Sequence, residues 1–148
     1  ASYAWTGPNG FTSTEQNPII TGVTAAAAGT YTLTVTNAGG GTASTTVDVV
    51  INPLPSPVIT GPNPVCQSID GSTEIYSTPA HAGSTYNWTI VGGTLSGQGT
   101  SQITVLWTTP GIGSVSVTET VTNTGCTATA TIEINVQPAP VTSRIYHN

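Results

Sequence analysis

The chain repeats itself once, and the two copies begin unequally. Tyr3-Ala4-Trp5-Thr6 returns as Tyr86-Asn87-Trp88-Thr89 at an offset of 83. The stretch from Val35-Thr36-Asn37 to Ile51-Asn52-Pro53-Leu54-Pro55 returns as Val121-Thr122-Asn123 to Val136-Gln137-Pro138-Ala139-Pro140, at an offset drifting from 86 to 85. A tandem period of about 85 residues makes each copy one small folded unit. In the second copy about thirty residues, Pro57 to Thr85, precede the Tyr-x-Trp, whereas the first has only Ala1 and Ser2 there. The expected division is therefore an incomplete domain over 1–52 that holds only the C-terminal strands, a proline-rich linker over 53–57, and a whole domain over 58–138. Residues 139–148 are a tail or the start of a next module. The missing strands either precede Ala1 in a longer parent or come from a neighbouring chain, for which the tail, with Val141, Ser143 and Ile145 alternating with Thr142, Arg144 and Tyr146, is an available donor.

Surface polarity in this chain comes from hydroxyls and amides. Only 5% of residues are charged, Arg144 is the single basic side chain, and there is no lysine. With a net charge of −5 and one cation, the chain has no electrostatic footprint for nucleic acid, which needs several Lys or Arg to displace counterions. Anionic membrane surfaces are excluded by the same argument. No apolar run reaches the ~18 residues of a spanning helix, so membrane insertion is not expected. Hydrophobic residues make up 36% of the chain and alternate regularly, so it should fold rather than stay disordered.

Period-two alternation dominates. In Thr30 to Thr36, Tyr31, Leu33 and Val35 share one face and threonines the other, and Val47, Val49 and Ile51 resume the pattern after a turn. The second copy repeats this with Tyr86, Trp88 and Ile90; Ile103, Val105 and Trp107; Val115 and Val117; and Ile132, Ile134 and Val136. Glycine-rich turns punctuate these runs, and Ala25 to Ala28 supports at most one helical turn. Short strands, about 85 residues per unit and one early buried tryptophan describe an all-β pair of immunoglobulin-like sandwiches. Trp5, Tyr31, Trp88 and Trp107 are the expected core, with Tyr31 placed for a tyrosine corner. Prolines in the linker predict an extended, semi-rigid join.

Trp5-Thr6-Gly7-Pro8-Asn9-Gly10-Phe11, followed by Ala28 to Val35, resembles the second half of immunoglobulin-like repeats from very long secreted surface proteins of gliding-type bacteria. Residues 57–138 resemble the PKD-like repeats of the same proteins through Tyr86-x-Trp88, Gly92-Gly93, Gly97-Gln98-Gly99-Thr100, Ile103-x-Val105-x-Trp107 and Gly125-Cys126. The resemblance implies adhesive or spacer modules, exported by the type IX route and held at the cell surface. Neighbouring modules of the same or an identical chain are then the expected partners. The tail Arg144-Ile145-Tyr146-His147 matches no motif of these repeats.

Catalytic chemistry finds few members here: two histidines, His81 and His147, no lysine, and no nucleophile elbow. Cys66 and Cys126 both fall in the second copy, as a structural pair would, and a Cys66–Cys126 disulfide is expected; two free thiols in a reducing compartment are the alternative. The carboxylates Glu15, Asp48, Asp70, Glu74, Glu119 and Glu133 are scattered, mostly on outward phases. Asp70 and Glu74 share no calcium-ligand string, so no metal or other cofactor is expected. Sugar binding by ring stacking is the main ligand alternative, in a glycan-binding accessory module of a secreted hydrolase. Phe11, in the Pro8-Asn9-Gly10 loop, Tyr76 and Tyr146 are the rings left to meet such a surface glycan. The threonine rows follow from strand propensity alone.

Overall fold

Wherever threonine or serine alternates with an apolar side chain, the backbone is extended. The computed structural model describes residues 1–140. They divide into two compact units, one spanning Ala1–Pro53 and one beginning at Leu54.

The first unit is a single antiparallel sheet. Its strands are β1 (Ser2–Thr6), β2 (Thr12–Ser13), β3 (Gly29–Thr36) and β4 (Thr42–Val49), in the spatial order β2-β1-β3-β4. Gly40 at positive φ lets the chain reverse between β3 and β4, and the Asn37 carboxamide accepts from the N–H groups of Gly39 and Gly41 to set that turn. Ala25–Ala27 form one 3-10 turn and no more, because Gly29 follows at a φ of 136°.

The second unit has two facing sheets. Its strands are β5 (Val65–Cys66), β6 (Glu74–Ser77), β7 (Ser84–Val91), β8 (Gly93–Ser96), β9 (Gln102–Trp107), β10 (Gly111–Val121) and β11 (Thr127–Gln137). One sheet runs β5-β11-β10-β7 and the other β6-β9-β8. Inward side chains from both meet in one cluster that includes Ile59, Val65, Tyr76, Tyr86, Trp88, Ile103, Val105, Trp107, Val115, Val117, Ile134 and Val136. Full burial of each is worth about 1.5–3 kcal/mol, so this layer contact dominates the unit's stability. The largest residue in it fits because Gly113 has no side chain: a Cβ there would stand 2.7 Å from Trp107 Cζ3 and 2.6 Å from the Val91 carbonyl oxygen.

The repeat is visible in the register. Trp5 faces Leu33 as Trp88 faces Val117, and Leu33 faces Thr45 as Val117 faces Ala130. Strands β1, β3 and β4 thus correspond to β7, β10 and β11. The first unit has nothing that corresponds to the facing sheet β6-β9-β8, nor to β5 on the outer side of β11.

Both long edges of the larger sheet are closed by uncharged side chains. On β7, Gln98 stands in for a neighbouring strand: its carboxamide accepts from Trp88 N–H at 2.7 Å and donates to the Trp88 carbonyl at 2.8 Å. Beyond β5, Asn63 does the same for β11, donating to the Glu133 carbonyl at 2.8 Å and accepting from Asn135 N–H at 3.0 Å. Lysine is one common guard of an exposed edge; this lysine-free chain uses amides.

Candidate functional site

Among the described residues, no second layer covers one apolar face of the first unit. Tyr31 is buried, Trp5, Leu33 and Val35 only half-buried, and Val47 and Val49 remain 51% and 37% exposed. Tyr31 owes its burial to local chain. Its hydroxyl donates to the Ala27 carbonyl at 2.9 Å, the tyrosine corner expected of the sequence, and Phe11 meets its ring edge-on at 5.5 Å. Gly7 lies against the other side of the ring, where any Cβ would collide with it. Trp5 Nε1 donates to the Glu15 carbonyl at 3.0 Å, anchoring the irregular segment that leads to Ile20 and Val23. That segment forms one wall of an open cleft of about 370 Å³, and Tyr31, Val47, Val49 and Ile51 form the other. Trp5 and Phe11 line the cleft, and Gln16 and Asn17 add amides.

Trp5 was an expected core residue, and the structure corrects that: its phase points inward, but no second sheet reaches it. Trp88 and Trp107 are 1% exposed in the second unit, and Trp88 Nε1 donates to the Thr100 carbonyl at 2.8 Å. Tyr76 is not a ligand ring. It is fully buried, packs edge-on to Trp107 at 6.0 Å and donates its hydroxyl to the Pro62 carbonyl at 2.9 Å. Burial pushes its pKa above the ordinary 10.0. Ile75 and Tyr76 are adjacent, so one had to face outward, and Ile75 does. Tyr146 lies outside the described residues, as does the rest of the tail from Val141.

The Cys66–Cys126 disulfide is also corrected. Both thiols are free. Cys66 pairs beside Gln137 at the end of β11, while Cys126 precedes its first residue, Thr127. Eleven residues of strand, about 35 Å at the usual rise, separate them, and a disulfide tolerates about 7 Å between Cα atoms.

Glu119, one of the six carboxylates expected mostly on outward phases, is the one fully buried carboxylate among the described residues. It continues the inward row of Val115 and Val117 on β10, and its Oε1 lies 2.8 Å from Nδ1 of His81, whose side chain is half exposed. The pair ties the turn before β7 to β10. Asp70 sits on the surface, where its carboxylate accepts from the Ser72 N–H, an interaction that lowers its pKa. Among the described residues no three His, Cys, Asp or Glu gather as a metal site, and no helix is long and apolar enough to cross a membrane.

At several registers, not anticipated from the sequence, outward hydroxyls bond one another across strands. Thr118 meets Thr129 at 2.7 Å, Ser96 meets Thr104 at 2.6 Å, Thr34 meets Ser44 at 2.8 Å, and Ser116 bonds Thr131. Period-two threonine on both partners was the available signal.

A two-sheet unit of this order, with a short parallel strand on the edge of its longer sheet, is an immunoglobulin-like sandwich. Residues 52–136 match the PKD-like domain family, and the chain belongs to it. PKD-like domains are usually extracellular. Similar solved structures include murine CEACAM1b, at 15% identity and a TM-score of 0.42, over 93% of this chain and 85% of that one. Clostridium thermocellum CbhA fibronectin(III)-like modules are 12% identical with a TM-score of 0.40, over 99% and 83% of the two chains. Titin domains Z1Z2 in complex with telethonin are 21% identical with a TM-score of 0.32, over 93% and 82%. No curated protein matches the chain in sequence.

Proposed function

We propose that this chain is a structural or adhesive spacer segment of a secreted cell-surface protein or extracellular fibre, and that it performs no catalysis. The observation that carries this reading is how the side chains are spent. Tyr76, Tyr86, Trp88 and Trp107 are committed to the core, the buried carboxylate to His81, and outward hydroxyls to one another across strands. With only 5% of residues charged, what remains outside is a sparsely charged surface suited to a module whose task is to hold length and shape. Export by the type IX route belongs to the same proposal and rests on the repeat resemblance alone.

The test is mechanical. Pulled between handles at its two ends, the chain should give a discrete, repeatable unfolding event for the second unit, and it should not be retarded in gels containing polysaccharide. Retardation that disappears on Phe11→Ala would instead make it a glycan-binding accessory module.

A further inference from the structure

Strand β4 stands at the outer edge of its sheet with all eight residues exposed. The corresponding strand β11 has its outer edge occupied by β5 and by Asn63. The face that β4 shares with Tyr31 and Ile51 opens into the apolar cleft. An unpaired edge beside an uncovered apolar face is what an added strand satisfies, by main-chain hydrogen bonds along the edge and alternate side chains into the cleft.

We propose that the occupant is residues 141–148 of a second copy of this chain, added antiparallel to β4 with Val141 opposite Ile51. This register places Val141, Ser143 and Ile145 opposite Ile51, Val49 and Val47, on the cleft side, because side chains alternate strictly across a sheet. It places Thr142, Arg144 and Tyr146 opposite Val50, Asp48 and Thr46, on the other side. Among antiparallel registers the charges single out this one. Arg144 is the chain's only Lys or Arg, and Asp48 is the only carboxylate on β4, bonded among the described residues by the Thr30 hydroxyl. Opposite charges directly across strands favour a pairing and like charges oppose it. A slip of one residue would separate Arg144 from Asp48 and turn Val141 and Ile145 away from the cleft. In this register Ser143 to Asn148 fall opposite Val49 to Ser44 of β4, and Val141 and Thr142 opposite Ile51 and Val50 just beyond it.

The experiment is sedimentation equilibrium over a concentration series, with circular dichroism confirming that each variant is folded. The intact chain should associate, and a variant ending at Pro140 should be monomeric. Asp48→Arg and Arg144→Asp should each be monomeric alone, because each sets like charges opposite one another. Mixed in equal amounts they should associate again, since each then offers the other an opposite charge. An intact chain that stays monomeric overturns the proposal and leaves the cleft to another occupant, such as a glycan or a strand from elsewhere in a parent protein. Association that survives truncation at Pro140, or single variants that associate as strongly as the intact chain, overturns it as well.

Discussion

At the scale of single residues, the second unit depends on a few side chains whose substitution has calculable cost. Trp88→Ala should destabilise it by about 3–5 kcal/mol through the cavity it leaves, lowering the urea midpoint; an unchanged midpoint would mean that the strand phases are misread. Gly113→Ala, which forces a Cβ against Trp107 and the Val91 carbonyl, should cost about 1–3 kcal/mol. Alkylation without reductant should label both Cys66 and Cys126, with the exposed Cys66 reacting first, and reductant should leave the melting temperature unchanged. For Tyr76, a folded-state pKa raised by burial means that its contribution is complete below the ordinary tyrosine value and is lost as pH rises past it. Its tyrosinate absorbance should accordingly lag behind that of the other tyrosines in an alkaline titration. Several of these residues show where sequence reading succeeds and where it stops. The Tyr31 corner was legible because Gly29 and the position of Tyr31 at the start of its strand are local. Tyr76 was not, because two adjacent apolar residues leave the phase open. Glu119 was legible in principle from the Val115, Val117, Glu119 alternation, but its inward phase depends on His81, a partner 38 residues away in the chain.

At the scale of elements, strand phases were read well because period two is a short-range property, and pairing partners less well because they depend on what lies across a sheet. The two cysteines illustrate this: shared membership of one copy suggested proximity, while β11 holds them at opposite ends. The drift in the repeat offset has a similar cause. By register with their neighbours, Val35 corresponds to Glu119 rather than to Val121, and the turn between the last paired residues is one residue longer in the second unit, 121–126 between Thr120 and Thr127 against 37–41 between Thr36 and Thr42. The amide clasps on the edges were invisible in the sequence, since Gln98 and Asn63 look like ordinary loop residues. Gln98→Ala should open the edge of β7 to water by removing two hydrogen bonds to the Trp88 main chain, costing about 1–3 kcal/mol at about 0.5–1.5 for each. Hydrogen exchange checks this site directly: the Trp88 amide, bonded to Gln98, should lose protection in the variant while the β10–β11 amides keep theirs.

At the scale of the whole molecule, the two related units are unequal among the described residues, one closed by a second sheet and one built from the corresponding first sheet alone. The unequal start of the repeat made that inequality legible, but not its consequence, an apolar cleft and a free strand edge where the second unit has core and neighbours. Stability should follow the same division, because amides protected only by a half-solvated sheet open at far lower free energy than those of a two-layer core. Native-state hydrogen exchange on the intact chain, at concentrations dilute enough to keep it monomeric, measures this strand by strand. The account predicts that amides of β7, β10 and β11 exchange only through global unfolding of their unit, and that those of β3 and β4 exchange at least about tenfold faster. Equal protection of the two sets in the dilute monomer would contradict it, since the first unit would then be as closed as the second.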